Sequence, residues 1–105
     1  MQIELSSIIP KEIVPGCYAK LIHTQNMSFA FWTIEKGATI PVHHHMNEQV
    51  MQVLKGEFEL TLNKSTKIYK PGSLVIIPPN LPHYGKAITA CELLDVFSPV
   101  REDYK

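Results

Sequence analysis

Hydrophobic and polar positions along this chain alternate over short stretches, which proline or glycine interrupts about every ten to fifteen residues. A period of two belongs to strands, and helical periodicity is missing. Residues 27–34 predict a strand closed by Lys36-Gly37, and residues 49–54 a second, closed by Lys55-Gly56. Phe58, Leu60 and Leu62 alternate with Glu57, Glu59 and Thr61, as in a half-exposed hairpin partner turning at Asn63-Lys64-Ser65. Pro71-Gly72 marks the next turn. Residues 74–77 are apolar on both faces and stop at Pro78-Pro79-Asn80, and residues 88–97 predict a last long strand. In the first twenty residues Pro10 and Pro15 fence Ile13 and Val14, which predicts an edge strand or an arm of the kind that crosses to a partner subunit.

Many short strands without a crossover helix bury their faces by packing two sheets together or by closing a barrel. The expected fold is therefore all-β, a small jelly roll with minimal helix. Residues 1–105 make one domain around one core, and a hydrophobic content of 45% suits it. Ten basic and ten acidic residues cancel, with no run of either sign, so neither nucleic acid nor an anionic membrane is an expected partner. No basic-then-apolar leader opens the chain and no stretch of membrane-spanning length follows, so a cytoplasmic location is expected. Cys17 and Cys91 are too few and too isolated for a disulfide framework or a paired-cysteine zinc site, and Cys91 falls in an apolar strand.

Against this plain background two runs stand apart: Pro41-Val42-His43-His44-His45-Met46-Asn47-Glu48-Gln49 and Asn80-Leu81-Pro82-His83. On a strand His43 and His45 point to one face and His44 to the other, so two imidazoles can grip a single ion. The same parity carried through Gln49 to Met51 and Val53 turns Gln49 inward and Glu48 outward. A tight turn at Met46-Asn47 would instead reset the register and bring Glu48 in as the fourth ligand. One surface histidine is ordinary, but a strand-spaced pair answered by His83 after a proline-rich turn is a transition-metal pattern. His43, His45, Gln49 and His83 are the expected ligands of one divalent ion, with nickel, iron, zinc, manganese and copper all compatible with imidazole. His23, beside Thr24, Gln25 and Asn26, has no such company and is expected to be solvated or satisfied.

These residues resemble the cupins, whose first motif runs from a glycine through a spaced histidine pair and an acid to a second glycine. Here it is Gly37, His43, His45, Gln49 and Gly56. The second cupin motif is matched by Gly72, Pro78, Asn80 and His83, in order and spacing. The departures are Gln49 at the usual acidic position, Asn80 for a glycine, and Ala87 where an asparagine is common. The resemblance implies a cupin jelly-roll barrel. It sharpens toward the pectin-degradation cupins, which convert unsaturated uronates from pectate and alginate lyases into open-chain keto sugars. In that branch an Asp, a Phe and an Arg act beside the metal, and they match Asp95, Phe97 and Arg101. Many small cupins without an assigned substrate share this tail.

Independently of the resemblance, Leu93, Asp95 and Phe97 share a strand face, so if Leu93 and Phe97 point into the barrel, Asp95 does too. Burial raises the pKa of such a carboxyl while a metal or Arg101 lowers it, which suits a general acid or base; a structural pair between Asp95 and Arg101 is the other reading. Phe97 fits core packing first and substrate stacking second, Met51 and Trp32 fit barrel lining, and Tyr84 could point away from the site. Three imidazoles and an amide leave a divalent ion its full charge, an electrophile suited to a carbonyl or hydroxyl. With the sugar-acid substrate that the resemblance implies, the expected activity is metal-assisted proton transfer, by isomerisation or ring opening. An iron(II) dioxygenase and a non-catalytic small-ligand or metal-binding module are the alternatives. A small-molecule substrate and a homodimer joined through apolar edge strands are the expected partners.

Overall fold

The computed structural model describes residues 1–105. Ten strands follow in order: β1 (Lys11–Val14), β2 (Cys17–His23), β3 (Ser28–Ile34), β4 (Thr39–His43), β5 (Glu48–Lys55), β6 (Phe58–Leu62), β7 (Ser65–Tyr69), β8 (Leu74–Ile77), β9 (His83–Ala87) and β10 (Cys91–Ser98). They form two antiparallel sheets, one ordered β1-β2-β3-β10-β5-β8 and the other β4-β9-β6-β7. Two 3-10 turns, Leu5–Ser7 and Glu102–Tyr104, are the only helical segments. The expected all-β jelly roll is the observed fold.

Alternation puts the core between the sheets. Along β10, Cys91, Leu93, Asp95 and Phe97 are buried while Glu92, Leu94 and Val96 are half-buried on the far face. Trp32 and Ala30 on β3, Met51 and Val53 on β5, and Phe58 and Leu60 on β6 complete the interior with them. Gly85 on β9 belongs to this packing, since a Cβ there would lie 2.3 Å from the Phe58 ring. The proline-fenced N-terminal segment is the edge of the larger sheet, where β1 pairs with β2.

Two sequence-based expectations change in detail, and one strand carries an open apolar face. The strand expected over residues 88–97 begins only at Cys91, because residues 88–90 carry the chain from one sheet to the other. The main-chain N–H groups of Ile88 and Thr89 both donate to the Glu57 carbonyl there, which fixes the crossing. Ser65 belongs to β7, opposite Leu62, instead of to the preceding turn, because Asn63 (φ 54°) takes a left-handed conformation that lets two residues reverse the chain. Finally β8, apolar on both faces, is covered on only one: Val75 and Ile77 are buried, while Leu74 and Ile76 are 66% and 65% exposed. An edge strand with nothing on its outer side leaves that face open.

Candidate metal centre

His43 ends β4 and pairs directly with His83, the first residue of β9. His45 lies two residues beyond β4, in the loop leading to β5. No strand spans 43–49, so a loop, not strand parity, brings His45 beside His43. The inner and outer assignment at the start of β5 holds nonetheless: Gln49 is buried at 5% exposure and Glu48 faces outward. The turn at residues 46 and 47 does not bring Glu48 in.

The second loop is equally fixed. Asn80 takes a left-handed backbone (φ 63°) where cupins carry glycine, a conformation asparagine tolerates better than other side-chain-bearing residues. Its main-chain N–H donates to the His45 carbonyl at 2.7 Å, tying the turn before His83 to the loop of the histidine pair.

All three rings are oriented the same way. His43 Nδ1 donates to the Pro41 carbonyl at 2.9 Å, His45 Nδ1 to the Asn47 carbonyl at 3.0 Å, and His83 Nδ1 to the Leu81 carbonyl at 2.8 Å. A carbonyl only accepts, so each Nδ1 carries the hydrogen and each Nε2 presents a lone pair. The three histidines offer ligand atoms all within 4.8 Å of one another. Gln49 Oε1 lies 3.0 Å from His45 Nε2. Two lone-pair atoms at that separation suit neighbouring donors on one ion, since bonds of about 2.1 Å at a right angle span about 3.0 Å. Burial lowers the pKa of all three imidazoles, with the nearby Arg101 charge acting in the same direction, and brings His83 down to about 4. Neutral imidazoles are the form that ligates. The donor set therefore fits a divalent transition metal.

The centre opens on a small cavity of ≈ 30 Å³, lined among others by His43, Gln49, His83, Asp95, Phe97, Arg101 and Tyr104. Asp95 points into it as expected, at 6% exposure. Its Oδ2 accepts from Trp32 Nε1 at 3.0 Å. Burial pushes its pKa up to about 6, against the opposing pull of the Gln49 amide, the Trp32 indole and the Arg101 charge. The alternative of a structural pair between Asp95 and Arg101 does not hold. Arg101 is instead clamped by Asp103, through Nε to Oδ1 at 3.1 Å and Nη2 to Oδ2 at 2.8 Å, because the terminal 3-10 turn brings that carboxylate alongside. The guanidinium also lies over the Tyr104 ring at 3.8 Å and the Phe97 ring at 4.8 Å. Phe97 is buried at 1% exposure, edge-on to His45 at 5.4 Å between centroids. Tyr84 is half exposed on the outer face, and His23 is satisfied by Ser28 Oγ and the Tyr104 carbonyl.

Three buried polar atoms have no hydrogen-bond partner in the protein: His83 Nε2, Asp95 Oδ1 and Arg101 Nη1. All three residues line the same cavity. Asp103 closes the cupin-like tail, residues 94–103, while Tyr104, which stacks on Arg101 beside it, carries no motif and gives no sequence signal of its own.

Two antiparallel sheets enclosing a trio of imidazoles whose ligand atoms converge define a jelly roll with a candidate metal site. The chain belongs to the cupin family: residues 30–97 match the model of the cupin domain. A structure of an RmlC-like cupin from Shewanella frigidimarina superposes with a TM-score of 0.90 at 28% identity, covering 95% of this chain and 91% of that one. KdgF from Halomonas sp. gives 0.89 at 25% identity, with 95% of each chain covered. This is the small, pectin-degradation type of cupin that the tail resembles. Oxalate decarboxylase of Bacillus subtilis shares the fold at a TM-score of 0.83 and 20% identity, this chain spanning 29% of its length. An uncharacterized protein of Streptomyces coelicolor is 28% identical over 85 residues, which is 80% of this chain and 81% of that one.

Proposed function

We propose that the protein is a metal-dependent isomerase that moves a proton on a small carboxylate-bearing sugar, with unsaturated uronates as the substrate class. The observation that carries this reading is the convergence of His83 Nε2, Asp95 Oδ1 and Arg101 Nη1, each buried and unpartnered, on one cavity. Leaving such atoms unpaired costs about 1–3 kcal/mol each, more where charge is involved. A cation on His83 Nε2, with a ligand that gives an oxygen to that cation, a hydroxyl or C–H proton to Asp95 and a carboxylate to Arg101, would satisfy all three. The resemblance to KdgF supports the same class.

A divalent ion on His43, His45, His83 and Gln49 would keep its full charge, because every donor is neutral, and would polarise an oxygen of the substrate. Arg101 Nη1 donates to the substrate carboxylate; its other two nitrogens, Nε and Nη2, each donate to Asp103, so the guanidinium plane is already set. Asp95, with a pKa near 6, holds or releases a proton close to neutral pH, which is the requirement for a general acid or base. Opening the hemiacetal ring of an unsaturated uronate frees an enol, and moving its hydroxyl proton to the neighbouring alkene carbon gives the ketone. No atom is gained or lost and no electron donor or acceptor is required. Phe97 and Trp32 keep water from the walls. The enclosed space holds about two water-sized groups, so the carboxylate end enters and the rest of the sugar lies in the mouth.

The test is a comparison of metal-loaded protein in air and under nitrogen on uronates released by a pectate or alginate lyase. Equal loss of the alkene absorbance in both, abolished in Asp95→Asn, is the expected result. Turnover that requires oxygen and iron would make the protein a dioxygenase, and ligand binding with no turnover would make it a binding module.

A further inference from the structure

We propose that Asn47 is a positioning residue that locks the histidine loop to the segment carrying Arg101, so that the cation and carboxylate sites stand at one fixed separation. This rests on the reading of Arg101 as the carboxylate-binding group. Asn47 lies in the loop between β4 and β5, yet is only 4% exposed. Its main-chain carbonyl accepts from His45 Nδ1 at 3.0 Å. Its side-chain Nδ2 reaches in the other direction and donates to the carbonyls of Pro99, at 2.6 Å, and Val100, at 3.3 Å. The next main-chain N–H, that of Arg101, donates to Ser28 Oγ at 2.8 Å.

One residue thus touches both halves of the site, by two separable means. The carbonyl that fixes the His45 tautomer is main chain, which most replacements keep. The grip on residues 99 and 100 is side chain, and few side chains provide it. Two carbonyl oxygens need two N–H donors from one small group; a serine hydroxyl has one, an aspartate none, and a lysine would set a positive charge beside the cation site. A neutral primary amide of this length meets the requirement. Neither Pro99 nor Val100 lies within a strand, so no ladder hydrogen bonds hold them. The position of Arg101 therefore depends on Asn47 and Ser28 from the main-chain side and on Asp103 from the side-chain side.

The roles separate in Asn47→Leu, which is similar in size and uncharged but donates nothing, with Asn47→Ala as a second variant should the larger side chain disturb the loop. Three quantities are measured on the full chain: zinc affinity by chelator competition, hydrogen exchange at the Arg101 and Leu93 amides, and steady-state kinetics on an unsaturated uronate. Zinc affinity is expected to stay within about threefold, Arg101 exchange to rise about tenfold or more with Leu93 unchanged, and KM to rise about tenfold. Unchanged Arg101 exchange in both variants, or an equal rise at Leu93 in both, would overturn the proposal. If the wild-type protein turns over no uronate while zinc affinity and exchange behave as expected, the positioning role stands and the substrate assignment falls.

Discussion

Trp32 Nε1 donates to one oxygen of Asp95 at 3.0 Å, and the other oxygen of that carboxylate, Oδ1, is buried without a partner. The pair crosses from β3 to β10, and the indole anchors the acid while leaving one oxygen for chemistry. Anchoring does not offset burial. A carboxyl whose pKa is about 6 in the fold and 3.8 otherwise binds more protons folded than unfolded between those values. Stability from this group is therefore greatest below pH 4 and falls as pH rises toward 6. At pH 8 the metal-free Asp95→Asn variant should be more stable than wild type by about 1–3 kcal/mol, and at pH 4 the gain should vanish. Denaturant titrations at the two pH values measure it, and the same variant should be inactive.

The histidines titrate in the opposite sense. With its folded pKa lowered to about 4 from 6.5, His83 binds fewer protons folded than unfolded in that window. The metal-free protein should lose roughly 1–2 kcal/mol as pH falls from 6.5 to 4 on this account. Thermal melts across that range report the loss, which His83→Gln should reduce. Adding nickel or manganese at pH 7 should raise the Tm of the wild type and leave that of a His43→Ala, His45→Ala variant unchanged.

Gln49→Glu tests the neutral fourth donor. A carboxylate there should tighten metal binding by about tenfold and lower kcat, because the added negative charge weakens the ion as an electrophile. Glu48→Gln, on the outward-facing neighbour, should change neither. Metal competition and kinetics on the two variants distinguish the assignments directly.

The solvent side of the larger sheet carries a row of matched positions, Ile22, Phe29, Val96, Val50 and Ile76, running across β2, β3, β10, β5 and β8. Every position in it is apolar, and Leu74 lies beside Ile76 on the same edge strand. A homodimer that covers this row face to face, in place of the edge-strand pairing expected from the sequence, is the prediction. Sedimentation should find a dimer for the wild type and a monomer for Ile76→Lys. The exposure of Ile76, 65%, implies little change in the stability of the fold itself.

Period-two alternation made the strands legible because one face of each sheet is buried, and it failed where burial is not the constraint, as in the crossing at residues 88–90 and the open face of β8. The imidazoles were legible because chemistry restricts the choice of residue. Their approach was read from strand parity, however, whereas a loop brings His45 in. Asn47, Ser28 and the role of Asp103 were not legible. Their work is done by side-chain bonds that either join residues as distant as 47 and 99 or 28 and 101, or form within a turn of no fixed pattern. Nothing in the spacing of a sequence marks an asparagine whose partners are two carbonyls just past the end of the neighbouring strand, about fifty residues on.

Arg101 and Tyr104 wall the cavity, so anything joined after Lys105 begins one residue from its lining. A polyhistidine affinity handle fused after Lys105 would dangle loose imidazoles within reach of the same cation, and metal counts or rates taken on such material would describe a mixture. Purification handles belong at the opposite terminus, or should be cleaved before any metal is weighed.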